Sequence, residues 1–179
     1  DKTPEYYEEE YPERGLEKGA MVTRLAPSPT GFIHLGNLFG AVVDERLSSQ
    51  SGGAFILRIE DTDAKREVEG AVETTISTMK HFDIEFTEGA TSDGETGNYD
   101  PYRQRQRKDI YETYAKRLVE QGKAYPCFCT EQDLEEIRER QKEAKIDFGY
   151  YGEWAKHRDM ALEDIEKSLG EGEEYVLRF

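Results

Sequence analysis

Residues 24–36 read RLAPSPTGFIHLG, and residues 58–63 read RIEDTD. The first segment starts as a strand, breaks at Pro27, Pro29 and Gly31, and opens a helix with His34 in the turn. The second closes an apolar, β-rich run (AFILRI, 54–59) with three carboxylates, Glu60, Asp61 and Asp63. A strand–turn–helix–strand unit brings both segments to one edge of a parallel sheet, where phosphate ligands bind. The expectation is a nucleotide site with a polar co-substrate pocket beside it.

Working outward, residues 21–26 (MVTRLA) suit a strand. From Leu35 the apolar positions Leu35, Leu38, Phe39, Val42, Val43 and Leu47 mark the face of a helix. Gly52-Gly53 ends it. Val68, Ala71, Val72, Thr75, Ile76, Met79 and Phe82 give a second amphipathic helix. Two βαβ-type passes therefore fall within 21–86. A Gly/Asp/Ser/Thr-rich loop is expected over 87–102 and a helix over 104–121, with Ile110, Tyr111, Tyr114, Leu118 and Val119 inward. A short strand (124–129), a helix opened by a Thr130/Asp133 capping box, an aromatic turn or short strand (148–154), a helix (158–169) and a last strand (YVLRF) follow. The fold class is α/β, the first half of a doubly wound parallel sheet with a small α+β insertion. The domain reading is an N-terminal extension (1–20), a nucleotide-binding domain (21–123) and the start of an insertion (124–179). A strand at the last residue should lead into another crossover, so the chain reads as a piece of a longer protein.

The 179 residues carry a net charge of −15, with 36% hydrophobic and 35% charged residues. No run of eighteen apolar residues and no leader pattern is visible, so a protein without membrane spans is expected, working in the cytoplasm as a monomer. Two cysteines, Cys127 and Cys129, suit a reduced compartment better than a disulfide framework. The acidic balance argues against broad nucleic-acid binding, although RQRQRK (103–108) is locally basic. That patch could touch phosphates or solvate a helix start. Tyr6, Tyr7 and Tyr11 are expected to pack onto the domain.

The prolines stiffen the approach to the helix, and Gly31 and Gly36 let a ligand come near the backbone. The helix start offers free N–H groups and a positive dipole end. His34 could hydrogen-bond a phosphoryl oxygen as charge builds at the α-phosphorus. The dinucleotide pattern G-x-G-x-x-G and the P-loop pattern are both absent, which disfavours a hydride-transfer enzyme or a P-loop ATPase.

H-x-G-N (34–37) resembles the HIGH signature of class I aminoacyl-tRNA synthetases. R-x-A-P-S-P-T-G and R-I-E-D-T-D resemble their glutamyl-tRNA synthetase branch. E-x-A-V-E (69–73), Q-x-Q-R (104–107), G-K-A-Y (122–125) and C-x-C-T (127–130) follow in order, and the likeness covers about 21–155. The resemblance implies a Rossmann-like catalytic domain that joins ATP, with Mg²⁺ on its phosphates, to L-glutamate and passes the glutamyl group to tRNA(Glu). It implies Arg24, Ser28 and Glu60 at the glutamate, His34, Gly36 and Asn37 at ATP, catalytic roles for Thr30, His34 and Gly36, and Asp63 toward the tRNA acceptor end. Rival readings are a paralogue that glutamylates a modified base of tRNA(Asp), and a non-catalytic nucleotide- or glutamate-binding module. A structural Arg24–Glu60 or Arg24–Asp61 ion pair and a metal on the RIEDTD acids also stay open. The family's K-M-S-K-S-like loop and anticodon-binding region are absent, so the chain alone is expected to be nearly inactive. Arg105 stands where the family has a small residue. Cys127 and Cys129 resemble half of a zinc site found in some members. Residues 150–159 add no cysteine and offer only His157 and tyrosines, so the expectation is two reduced thiols without metal.

Overall fold

The computed structural model describes residues 2–31 and 33–179. The chain divides into two compact units, Asp1–Thr113 and Tyr114–Phe179.

The first unit is organised on β2 (Ala54–Leu57), whose residues are almost all buried. Buried on both faces, it reads as a continuous apolar run rather than an alternating one. β1 (Val22–Leu25) runs parallel to it, with Val22 opposite Ala54 and Leu25 opposite Leu57. β3 (Glu88–Ala90) is parallel on its other side, and β4 (Glu95–Thr96) closes antiparallel on β3. α2 (Leu35–Ser51) connects β1 to β2, and α3 (Ala71–His81) connects β2 to β3. Leu25, Ala41, Phe55, Leu57, Ile59, Val72, Met79, Ile84 and Ala90 form the core. This is the α/β fold, rich in parallel pairing, that the sequence pattern implies.

Three details differ from the pattern. The 87–102 region contains β3 and β4. Glu88-Gly89-Ala90 lacks β-branched residues, and its pairing with β2 and β4 makes it a strand. Gly89 is needed there, because a Cβ would run into the Leu57 carbonyl. Secondly, α2 turns Ala41 and Ser48 to the sheet, with Leu38 packed against the core, while Leu35 and Phe39 stay 79% and 71% exposed. Val42, Val43 and Leu47 are exposed as well. Small side chains let the helix approach closely, so the more apolar stripe faces away. Thirdly, the extension over 2–20 contains a helix of its own. Thr3 caps α1 (Pro4–Glu10), and Tyr7 is buried, as packing of the tyrosines onto the domain requires.

A 3-10 turn at Gln104–Arg107 leads into α4 (Lys108–Glu120), which crosses from the first unit into the second. The compact division thus falls inside this helix, ten residues before the boundary read between Lys123 and Ala124. In the second unit β5 (Tyr125–Cys127) pairs antiparallel with β6 (Val176–Arg178), enclosing α5 (Glu131–Ala144), a turn at Gly152–Trp154 and α6 (Leu162–Gly170). The last strand therefore completes a two-stranded sheet of its own and does not extend the parallel sheet. The Thr130/Asp133 capping box is present, with both reciprocal bonds.

Candidate functional site

α2 begins with His34 as its N-cap, in extended backbone conformation. The ring Nδ1 accepts the Gly36 N–H at 3.1 Å, and the Asn37 carboxamide oxygen accepts the His34 N–H at 3.3 Å. This is a capping box built with a histidine and an asparagine. Its chemical consequence is a fixed tautomer. A nitrogen that accepts cannot carry the proton, so Nε2 is the donor of the neutral ring. Gly36 contributes by having no side chain, since a Cβ there would press on the ring at 3.0 Å.

In front of this cap lies a cavity of about 330 Å³ lined by Pro27, Ser28, Thr30, His34, Asn37 and Thr75, among others. The turn that walls it is held by backbone bonds: Thr30 N–H to the Ser28 carbonyl, and Val68 N–H to the Pro29 carbonyl. Thr75 belongs to the inner face of α3. Its helical position was legible, but nothing in its spacing marked it as a cavity residue.

Arg24 and Glu60 come together at 3.8 Å, from β1 and the end of the β2 segment. Both side chains are partly exposed, at 45% and 36%. They pair with each other and are not among the residues lining the 330 Å³ cavity. The two sites are tied through the turn, because the Glu60 N–H donates to the Pro27 carbonyl at 3.0 Å. Asp63 stands apart. It accepts from Arg66 Nε at 2.6 Å, and that bond holds its carboxyl below the usual range.

Asp61, between them, is buried and accepts the Arg105 backbone N–H at 2.8 Å, while the Arg105 guanidinium reaches the Asp61 carbonyl and Glu67. Arg107 donates to the carbonyls of Tyr99 and Pro101. Two of the three arginines of the RQRQRK patch are thus engaged in holding the fold.

In the second unit, Cys127, Cys129 and His157 bring their donor atoms within 4.8 Å of one another. Tyr150 adds a fourth donor, its hydroxyl lying 3.2 Å from each sulfur. His157 Nδ1 is 3.6 Å from each. Zinc bonds of about 2.0–2.3 Å give tetrahedral edges of about 3.3–3.8 Å, and the four separations of 3.2–3.6 Å lie close to that range, so the set is compatible with one zinc ion. Spacing alone left this set incomplete. The turn that brings Tyr150 onto the C-x-C pair has no sequence signature. Burial pushes the Cys127 thiol up, but hydrogen bonds from Tyr150, the Cys129 N–H, His157 and Arg178 outweigh it and bring it to about 6. Burial raises Cys129, and burial together with the two sulfurs raises Tyr150. A divalent ion would reverse these last two by stabilising the ionised forms.

Residues 20–179 match the family described as tRNA synthetases class I (E and Q), catalytic domain. A glutamate–tRNA ligase of Acetivibrio thermocellus is 61% identical over 179 residues, covering 99% of this chain and 33% of the relative. One from Clostridium perfringens is 55% identical with the same coverage. A crystal structure of a glutamate tRNA ligase from Elizabethkingia meningosepticum, in complex with its amino acid, superposes with a TM-score of 0.81 at 36% identity, over 90% of this chain and 32% of that one. The chain spans about a third of the length of the relatives it matches. The likeness reaches beyond residue 155 to the last residue, and the close relatives also align over nearly all of residues 1–20.

Proposed function

The chain belongs to the family of class I tRNA synthetase (E and Q) catalytic domains, and from that premise we propose that it supplies the glutamate- and ATP-binding half of a glutamate–tRNA ligase. In the reaction a glutamate carboxylate oxygen attacks the α-phosphorus of ATP, which carries Mg²⁺ on its phosphates, and pyrophosphate leaves. The 3′-terminal hydroxyl of tRNA(Glu) then attacks the acyl carbon, and AMP leaves. The polypeptide acts as a monomer in the cytoplasm.

The observation that carries this reading is the His34 cap. With Nδ1 committed to the Gly36 N–H, the ring presents Nε2–H beside the turn-lined cavity as a neutral donor. Such a donor suits a phosphoryl oxygen that gains charge in the transition state. Asn37 orients the same cap, and the first-turn N–H groups of α2 add the positive end of the helix dipole. Gly36 keeps the approach to the nucleotide open. Ser28 and Thr30 line the cavity and would bond the amino acid and the reacting phosphate.

Arg24 and Glu60 would take the two ends of glutamate. Their pairing is loose, at 3.8 Å and partly in solvent, so it costs little to open. A glutamate side-chain carboxylate would replace Glu60 on the Arg24 fork, and the ammonium would replace Arg24 on Glu60. One exposed pair would become two charge-assisted pairs, leaving the α-carboxylate free to react. Asp63 would face the tRNA acceptor end, and residues 124–179 would begin the acceptor-binding insertion. Zinc on Cys127, Cys129, Tyr150 and His157 would tie β5 to the turn before α6.

The test is charging by the intact natural polypeptide that carries this sequence. Glutamate transferred to tRNA(Glu), and a glutamate KM raised about 10–100-fold by Arg24→Lys, would support the reading, because a point charge cannot replace the bidentate fork. Charging of tRNA(Asp) instead, or binding without turnover, would overturn it.

A further inference from the structure

Residues 7–14 are fastened to the segment 95–107 by contacts between groups far apart in sequence. The Arg14 guanidinium forks onto both carboxylate oxygens of Glu88, with one bond at 2.8 Å, and lies 3.9 Å above the Tyr99 ring. The Tyr99 hydroxyl donates to the Pro12 carbonyl at 2.8 Å. Tyr11 stacks on Tyr99 and lies under the Arg107 guanidinium. Tyr7, buried, stacks on Tyr11.

The far side of that segment holds the end of the β2 segment. The Tyr102 carbonyl accepts the Ile59 N–H, and the Ile59 carbonyl accepts the Gln104 N–H, both at 2.9 Å. Arg105 binds the Asp61 side chain and carbonyl. The residues on either side of Glu60 are therefore clamped, while the Glu60 side chain, among the described residues, forms a salt bridge only with Arg24, loosely. Where the Glu60 carboxylate sits is set by the backbone, which is held by the Pro27 carbonyl on one side and by segment 99–107 on the other.

We propose that residues 4–14 are a strap that sets the position of Glu60, with Arg14 as its positioning residue for the ammonium of the amino-acid substrate. The role assigned to Glu60 rests on the function proposed above. The strap precedes the matched catalytic domain, which begins at residue 20, yet the 61%-identical relative aligns over 99% of this chain. The strap thus lies within the length that this relative shares. Arginine suits the anchor because one planar group serves both Glu88 oxygens and stacks on Tyr99. Lysine can do neither in full.

The alternative is that Arg14 only neutralises Glu88, which is buried on β3. Three variants separate the two roles in the intact natural polypeptide: Arg14→Gln, Arg14→Lys, and the double variant Arg14→Gln/Glu88→Gln, which removes the buried charge as well as the fork. The expected result for Arg14→Gln is a glutamate KM raised about tenfold with kcat and ATP KM within about twofold, the signature of lost ground-state binding. Amide hydrogen exchange should quicken about tenfold or more at Ile59 and Gln104 and stay unchanged at Arg24 and Leu57. Arg14→Lys should lie between. The double variant should regain thermal stability without regaining glutamate affinity. Exchange that is unchanged at 59 and 104, or that quickens equally everywhere, would overturn the strap. So would a double variant in which glutamate KM recovers together with stability. Because exchange is read without substrate, a polypeptide that shows the exchange pattern but charges no tRNA(Glu) would overturn the function and leave the strap standing.

Discussion

At the scale of single residues, the capping role of His34 and the catalytic role proposed for it can be pulled apart. Its Nδ1 caps α2, and its Nε2–H is the donor assigned to the phosphoryl oxygen. Asparagine is itself a good N-cap, so His34→Asn should keep helix stability while losing the ring donor. The expected outcome is unfolding stability within about 0.5 kcal/mol of the parent, with adenylate formation slowed about 10²–10³-fold. His34→Ala should slow the reaction equally and also cost about 1 kcal/mol through loss of the cap. Equal activity in the asparagine variant would remove His34 from the chemistry. Cys127 offers a second residue-scale measurement. Its thiol falls from an ordinary value near 9 to about 6 in the folded protein. Between these values the unfolded chain binds the extra proton, so stability rises with pH and is lost as pH falls through about 6. In metal-free protein the thermal midpoint should climb from pH 6 to pH 8, and Cys127→Ser should flatten the climb, as followed by melting together with ultraviolet thiolate absorbance. Supplied with zinc, the protein should retain about one equivalent, and Tyr150→Phe should weaken its hold, as read by metal analysis after dialysis.

At the scale of elements, α2 has two apolar faces of unequal fate. Phe39 is 71% exposed, whereas Leu57 on the strand beneath the helix is fully buried. In the 179-residue chain, Phe39→Ser should change unfolding stability by no more than about 0.5 kcal/mol. Leu57→Ala should cost about 2–5 kcal/mol, and chemical denaturation of the two variants distinguishes them. The periodicity of α2 announced the helix correctly but named the wrong face, because Ala41 and Ser48 carry little hydrophobic signal and face the sheet for their small size. The strands β1 and β2 and the capping box of α5 were legible, since each has a local cause in branched residues or a Thr/Asp pair. β3 was not, because its strand character comes from pairing with β2 and β4. The same division runs through the sites. His34, Gly36 and Asn37 sit in one turn and could be read together. Asp61 with Arg105, the Arg14 fork on Glu88, and Tyr150 on the cysteine pair each join residues more than twenty positions apart, through turns with no motif.

At the scale of the whole molecule, a net charge of −15 sits uneasily with a nucleic-acid substrate until the residues are placed. Arg105 ties segment 99–107 to Asp61, and Arg107 binds the Tyr99 and Pro101 carbonyls within that segment, so neither is a free basic group. The role proposed for Arg24 and Glu60 is a local exchange of one ion pair for two at the amino-acid site. The chain covers about a third of its relatives, and its assigned role is the first half of a larger catalytic unit. The most direct test is isotope exchange between pyrophosphate and ATP by the intact natural polypeptide, with tRNA(Glu) present and each amino acid offered in turn. The account predicts exchange that depends on L-glutamate and falls about 10²-fold or more in Arg24→Ala and Glu60→Ala, each of which strands a charge of the substrate. Exchange driven by an uncharged amino acid, or glutamate-driven exchange indifferent to both substitutions, would contradict it.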